Sequence, residues 1–374
     1  MSKAPTIGRG EPGQVSVVAV IGIVVVVAIA SGSLAYLSAP TGTSEKDVKD
    51  YLRAASDNEI KEISKVIPGE LLDEIAHGGY PRTITDDRGK EITISEEPGR
   101  IVSLSPSTTE TLFALHLDNL VVGVTKYCDY PPRAKNMKEE NQLSAVGGYT
   151  TFSVEKITSL NPDLVLAGSY ESMPKERIRK LEKLGLKVIC LDAKNISDAI
   201  GDMRLIGRAC GCVSRAESLT ENLSEEINSV AGKAQNLSEN ERPKVFWQSW
   251  WSPIYSAGSK TFANKIIEAS GGRNIFADEE GWVSVGKETI ISRNPEVYIT
   301  TPHSGRTVEE VKNTAGFGEV SAVEDNRVYE VPEDIFSRPG PRIADAVKVL
   351  AYLLHPDMFK KPSLPYAEVP QPGE

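Results

Sequence analysis

Asn161-Pro162-Asp163-Leu164-Val165-Leu166 and Asn294-Pro295-Glu296-Val297-Tyr298-Ile299 are two versions of one phrase. A helical pattern precedes each, residues 153–160 opened by Ser153 and residues 287–293. After the proline each becomes a short apolar run that reads as a buried strand, residues 164–167 and 297–300. Proline fits neither a helix interior nor a central strand, so it marks the crossing between them. Outward from these two points the grammar continues. Residues 101–104, 120–124 and 188–191 read as strands, and 107–115 and 174–184 as helices; Ser107 and Glu110 have capping-box spacing. Downstream, strands at 245–247, 254–255 and 328–331 alternate with helices at 261–269 and 342–354. Such alternation implies parallel, helix-covered sheets.

The repetition predicts an α/β protein of two Rossmann-like lobes. The first spans 81–200 and is led by a β-hairpin whose turn is Asp86-Asp87-Arg88-Gly89; the second spans 243–358. Residues 201–235 between them hold no proline, and Met203, Ile206, Ala209, Val213, Ala216 and Leu219 recur every three or four positions. One long backbone helix of roughly 45 Å is expected there. It would restrict hinge motion and leave a ligand cleft between the lobes.

The chain has 374 residues, 40% of them apolar and 25% charged, a globular composition. Acidic residues outnumber basic ones 52 to 42, and no Lys/Arg cluster offers nucleic acid a basic face. Residues 15–37 carry no charge, long enough as a helix to cross a bilayer, with Lys3 and Arg9 before them. The expected order is a cytoplasmic tail over 1–14, a transmembrane anchor or signal over 15–37, a stalk over 38–80, and a tail over 359–374. The lobes would then be extracytoplasmic on a single-pass protein, or secreted or periplasmic if Ala28-Ile29-Ala30 is a cleavage site. No cysteine closely follows the apolar run, which excludes a lipid-modified N-terminal cysteine.

Catalytic signatures are absent from the sequence: no phosphate loop, no nucleophile elbow, no strand-linked G-x-G-x-x-G. Four scattered histidines and the isolated pair Cys210 and Cys212 give no metal-ligand spacing. A non-enzyme without a resident cofactor or metal is expected. The tryptophans are more informative, since Trp247, Trp250, Trp251 and Trp282 all lie early in the second lobe. Trp247, inside a strand, reads as core. Trp250, Trp251 and Trp282 read as loop residues facing the cleft, where a flat indole suits a wide ring system. Tyr127, Tyr149 and Tyr170 occupy comparable positions in the first lobe.

Several stretches resemble the substrate-binding proteins of vitamin B12 and iron-siderophore ABC importers. They are Arg100-Ile-Val-Ser-Leu-Ser-Pro-Ser, Val121-Val-Gly-Val-Thr-Lys-Tyr-Cys-Asp-Tyr-Pro-Pro, Val146-Gly-Gly, Tyr255-Ser-Ala-Gly, Gly271-Gly-Arg-Asn-Ile-Phe and Arg338-Pro-Gly-Pro-Arg-Ile. The resemblance runs over about residues 82–358 and is nearest to the B12-binding branch. It implies capture of a large chelate outside the membrane and delivery to an ABC permease dimer driven by a cytoplasmic ATPase. By this resemblance Tyr127 lies against the corrinoid, Trp282 is a pocket tryptophan, and Asp334 and Arg338 touch the ligand from the second lobe. Tyr149, Gly168 and Ser249 depart from the branch, which has tryptophan at the first two and phenylalanine at the third. Tyr170, Trp250 and Trp251 could replace the missing aromatic surface. Glu155 and Glu288, one per lobe and each six residues beyond its aromatic, match the glutamates that dock on permease arginines.

A monomeric cobalamin-binding component is the expectation. An iron-siderophore or haem binder is the alternative, with Tyr127 the candidate axial ligand for haem. An anchored enzyme or sensor on the same scaffold is the third.

Overall fold

The computed structural model describes residues 25–29, 33–37 and 80–373. The expected tail over 1–14 and nearly all of the stalk over 38–80 lie outside the described residues. In the apolar run, β1 (Val25–Ile29) pairs antiparallel with β2 (Ser33–Leu37), from Val25 opposite Leu37 to Ile29 opposite Ser33. At these ten residues strands stand where a transmembrane helix was expected; the rest of 15–37 lies outside the described residues. Val24 to Val27 are all β-branched and stiff at χ1, and Gly32 punctuates the run, so local preference favours strands. Among the described residues no helix is long and apolar enough to cross a membrane.

The first lobe opens with the hairpin of β3 (Arg82–Thr85) and β4 (Glu91–Ile94). Its main sheet is parallel throughout and comprises β5 (Ile101–Ser103), β6 (Val121–Val124), β7 (Ser144–Ala145), β8 (Leu164–Ala167) and β9 (Lys187–Cys190), in the order β7-β6-β5-β8-β9. Helices α1 (Pro106–Ala114), α2 (Pro132–Glu139), α3 (Val154–Ser159) and α4 (Lys175–Lys183) connect the strands. β5 and β8 are buried along their whole length, which their unbroken apolar runs require.

The two lobes are joined by a pair of helices, which corrects the single long helix expected over 201–235. Helix α5 (Ile196–Ala209) ends at Cys210, Gly211 turns the chain at φ +74°, and α6 (Val213–Gln235) runs back beside it. A left-handed residue cannot continue a helix and is usually glycine, so Gly211 was the readable stop. Both helices cross between lobes. Ala199 and Met203 of α5 lie in the second lobe's core while Ile206 and Ala209 lie in the first's. In α6 the order reverses, with Ala216 in the first core and Leu223, Ile227 and Val230 in the second. At 1.5 Å per residue α6 alone is roughly 35 Å long.

The helices touch at Gly207, where an added Cβ would stand 2.3 Å from the Ala216 Cβ; at Gly201 of the same helix it would meet nothing within 4 Å. Gly207→Ala is therefore expected to destabilise the protein by about 1–3 kcal/mol through overpacking. Gly201→Ala should stabilise it by roughly 0.5–1 kcal/mol. Urea unfolding of the two variants reads both, and equal shifts would contradict the close approach.

Asp202 of α5 is buried beside Asp87 of the hairpin turn and Asp198. Burial first, and then the Asp87 charge, push its carboxyl up to about 9. An unfolded aspartate titrates near 3.9, so in the window between, the folded chain holds a proton that the unfolded chain has lost. Stability from this group is full below the unfolded value and declines as pH rises through the window. Asp202→Asn should match wild type at pH 4 and exceed it at pH 8, by up to about 1.4 kcal/mol per pH unit of the window. A constant difference at pH 4, 6 and 8 in urea unfolding would refute this.

In the second lobe β10 (Lys244–Trp250) is the hub. Its first half pairs in parallel with β12 (Arg273–Asn274) and β14 (Val297–Thr300), and β14 with β15 (Val328–Glu330). Its second half turns antiparallel, to β11 (Tyr255–Ala257) and then β13 (Trp282–Ser284). Helices α7 (Phe262–Ala269), α8 (Lys287–Arg293), α9 (Val308–Lys312), α10 (Ser321–Glu324), α11 (Glu333–Ser337) and α12 (Ile343–Leu354) complete it. Trp247 is core, 5.3 Å from the Phe336 ring. The segment after α12, expected as a tail, packs Val369 into the same core and lays Phe359, Leu364 and Tyr366 against it.

Candidate ligand cleft and docking faces

Parallel strands of the first lobe end at loops, and the loop after β6 carries Tyr127 and Asp129. Both meet Arg338, which leaves α11 in the second lobe. Its guanidinium lies 2.9 Å from Asp129, 2.7 Å from Asp334, 3.2 Å from Glu110 and 3.5 Å from the Tyr127 carbonyl oxygen. Arg342, four residues on, grips Glu110 with two bonds of 2.8 and 2.6 Å. Here the lobes touch, and the expected cleft would have its floor at this contact. Burial pushes the carboxyls of Glu110 and Asp334 up, and the guanidiniums beside them pull the other way. Three carboxylates face two arginines, so the floor has no uncompensated cation.

Glu110 makes no capping box. The N-cap of α1 is Ser105, with no side-chain cap bond, and Glu110 points across the lobe boundary instead. Local spacing suggested a helix-end role, but a 2% exposed carboxylate follows its strongest partner, a guanidinium.

Of the expected aromatics, Tyr127 stands 49% exposed with the Lys126 ammonium 4.8 Å from its ring centre. Tyr149 is more enclosed, and burial raises its hydroxyl pKa. Its hydroxyl occupies the place of a side chain at Gly168, where a Cβ would come within 2.7 Å. The two departures from the family pattern thus compensate: Tyr149 fills the space that Gly168 leaves. Tyr170 is held between the cations of Arg88 and Lys175, 5.3 and 5.1 Å from its ring. Arg88 binds the Val188 carbonyl oxygen, so Tyr170 sits towards the β9 edge, several strand spacings from Tyr127 above β6.

Trp250 and Trp282 are strand residues, not the loop residues expected. The β10–β11 register passes from Gln248 opposite Ser256 to Trp250 opposite Tyr255, which makes Ser249 the extra residue of a bulge. Gln248 and Ser256 therefore share the buried side, and Trp250 and Tyr255 the open one. Trp282, opposite Ala257, lies on the side of Tyr255. The outcome is one exposed strip of Trp250, Tyr255 and Trp282, 50%, 38% and 56% exposed. Trp251 is separate from it. Its ring stands edge-on to Phe317 at 6.3 Å, with Arg306 and Lys287 at 4.7 and 5.5 Å, bordering a surface cavity of about 320 Å³.

Glu155 and Glu288 open α3 and α8, where a negative charge also complements the helix dipole. They differ in their partners. Glu155 is 2.9 Å from the Lys180 ammonium and accepts from the Ser153 hydroxyl, and the Lys180 bond above all holds its carboxyl down to about 2. Among the described residues Glu288 has no ion-pair partner.

A family model described as periplasmic binding protein matches residues 101–335, most of both lobes. The chain belongs to the periplasmic binding protein family. It is of the kind its motifs resemble, the substrate-binding proteins of the vitamin B12 and iron-siderophore importers. A Bacillus subtilis protein named as an uncharacterized ABC transporter substrate-binding lipoprotein is 35% identical to it over 75% of this chain and 88% of that one. The vitamin B12-binding protein of Pectobacterium atrosepticum is 28% identical over 66% of this chain and 85% of its own. The crystal structure of a possible iron-binding, periplasmic solute-binding protein from Staphylococcus epidermidis superposes with a TM-score of 0.60, at 29% identity over 70% of this chain and all of that one.

In this periplasmic binding protein the sequence reading missed Glu110, Asp129, Arg342 and Tyr255. Tyr255 carried a signal, a strand aromatic next to a serine that alternates inward. Asp129 and Arg342 lie inside two of the quoted motifs, but their pairing with residues remote in the chain was not legible there, and Glu110 read only as a helix-end residue.

Proposed function

We propose that the protein is the extracytoplasmic substrate-binding component of an ABC importer, with a corrinoid as its cargo. Its role is carriage rather than catalysis. The neutralised cleft floor carries this reading. Arg338 and Arg342 are matched by Glu110, Asp129 and Asp334, which leaves an anionic ligand no free guanidinium at this interlobe contact. Cobalamin, a broad macrocycle rimmed by neutral amides with a single phosphodiester in its nucleotide loop, needs flat apolar surface more than a cluster of cations. Tyr127 offers that surface on one lobe, and Trp250 and Trp282 on the other, with Tyr149 in the same lobe as Tyr127 and Tyr170 further out towards β9. Asp334 and Arg338 would supply polar contacts to the ligand's amide rim. Glu155 and Glu288 would dock on cations of the permease dimer.

A ferric chelate or haem is the second reading, favoured by one observation. Lys287 and Arg306 flank Trp251 at its cavity, the arrangement an anionic chelate would use. The Bacillus relative is named a lipoprotein, which suits a membrane-held binding protein.

Calorimetric titration of the protein with cyanocobalamin, haemin and a ferric siderophore tests the proposal. One-to-one binding of cyanocobalamin alone is expected. Binding of the siderophore or haemin alone would keep the family and replace the cargo.

A further inference from the structure

We infer that Glu110, Arg342 and the C-terminal segment form a clamp across the lobe boundary that positions Arg338 at the cleft floor. Glu110 comes from α1 of the first lobe and is 2% exposed; both arginines that hold it come from the second. A carboxylate at this depth is tolerated only when paired and hydrogen-bonded. Arg342 is also enclosed by rings from both sides of the boundary. Its guanidinium lies 3.9 Å from the ring centre of Tyr130 in the first lobe and 5.0 Å from that of Tyr366 in the C-terminal segment. The two tyrosines meet edge to face at 5.0 Å.

Tyr366 is itself anchored, its hydroxyl bonded to Asp345 of α12 and its segment pinned by buried Val369. The chain thus leaves the second lobe at α12 and returns as a strap that lays one aromatic on the first lobe. Close by, a Cβ at Gly340 would stand 3.4 Å from the Ser107 carbonyl oxygen, so backbone meets backbone across the boundary. Arg338 shares Glu110 with Arg342 and also reaches Asp129 and the Tyr127 carbonyl oxygen. Whatever holds Glu110 therefore holds the arginine and the Tyr127 loop beside the ligand. That Arg338 and Tyr127 meet a ligand rests on the function proposed above; the clamp does not.

The test uses the full chain with spin labels on cysteines introduced at the exposed positions Lys135 and Glu319, the four native cysteines being buried. Wild type should give one narrow inter-lobe distance. Tyr366→Ala and Glu110→Gln should each broaden that distribution about twofold or more and weaken cyanocobalamin binding by about tenfold, with Glu110→Asp recovering part of both. Circular dichroism checks folding, and should Glu110→Gln not fold, Tyr366→Ala decides. A Tyr366→Ala distribution as narrow as wild type overturns the clamp. Broadening in a protein whose wild type binds no cyanocobalamin keeps the clamp and removes the corrinoid.

Discussion

Trp282→Ala is expected to weaken cyanocobalamin binding by about 10- to 100-fold while leaving the unfolding midpoint where it is. At 56% exposure in the free protein, the indole adds little to the second lobe's core. On the proposed function its open face is covered when a flat ligand arrives, so truncation removes mainly area buried on binding and a smaller part buried on folding. Ten- to hundredfold corresponds to about 1.4–2.8 kcal/mol, the range for one stacked aromatic anchor. Trp251→Ala provides the contrast. That ring is packed on Phe317, so its loss should cost stability, on the order of 2 kcal/mol. Calorimetry and urea unfolding of both variants separate the two. Affinity within twofold of wild type in Trp282→Ala would remove that residue from the pocket.

Charge reversal at the docking faces should be the more severe change for transport. Glu288→Arg is expected to reduce uptake of radiolabelled cobalamin at least tenfold and to leave its binding in solution unaltered. The carboxylate has no ion-pair partner among the described residues, and on the proposed docking an arginine there would repel the permease cation it meets. Glu155→Arg should act in the same direction. If Glu155 docks as proposed it must first exchange Lys180, so Lys180→Gln should raise transport modestly; exposed ion pairs contribute less than about 1 kcal/mol. Full uptake by the Glu155→Arg, Glu288→Arg double variant would show that neither glutamate docks.

The elements that the sequence revealed are those whose causes lie within a few residues. Ser153 caps α3 through the Lys156 amide, and Thr261 caps α7 through that of Asn264. The repeated Asn-Pro-acid phrase enters β8 and β14 as expected. Where local causes compete, the reading failed. Periodicity carried a single helix through Gly211, although that glycine takes the left-handed conformation that ends α5. Apolar length suggested a helix over 15–37, while at Val25–Ile29 and Ser33–Leu37, the part described, the chain forms strands that β-branching favours. Ser249 gave no sign that it would be a bulge, and the bulge places Trp250 beside Tyr255 and apart from Trp251.

The repeat of strand and helix, the caps, the two-lobed plan and the family motifs follow from local chemistry alone, because hydrogen-bond spacing and hydrophobic period act over three to seven residues. The cleft floor does not. Glu110 and Arg342 are 232 positions apart, and nothing near Glu110 in the chain distinguishes it from a helix-capping glutamate. Its role arises where the two lobes meet and bury it, since a carboxylate removed from water must find a cation wherever the fold provides one.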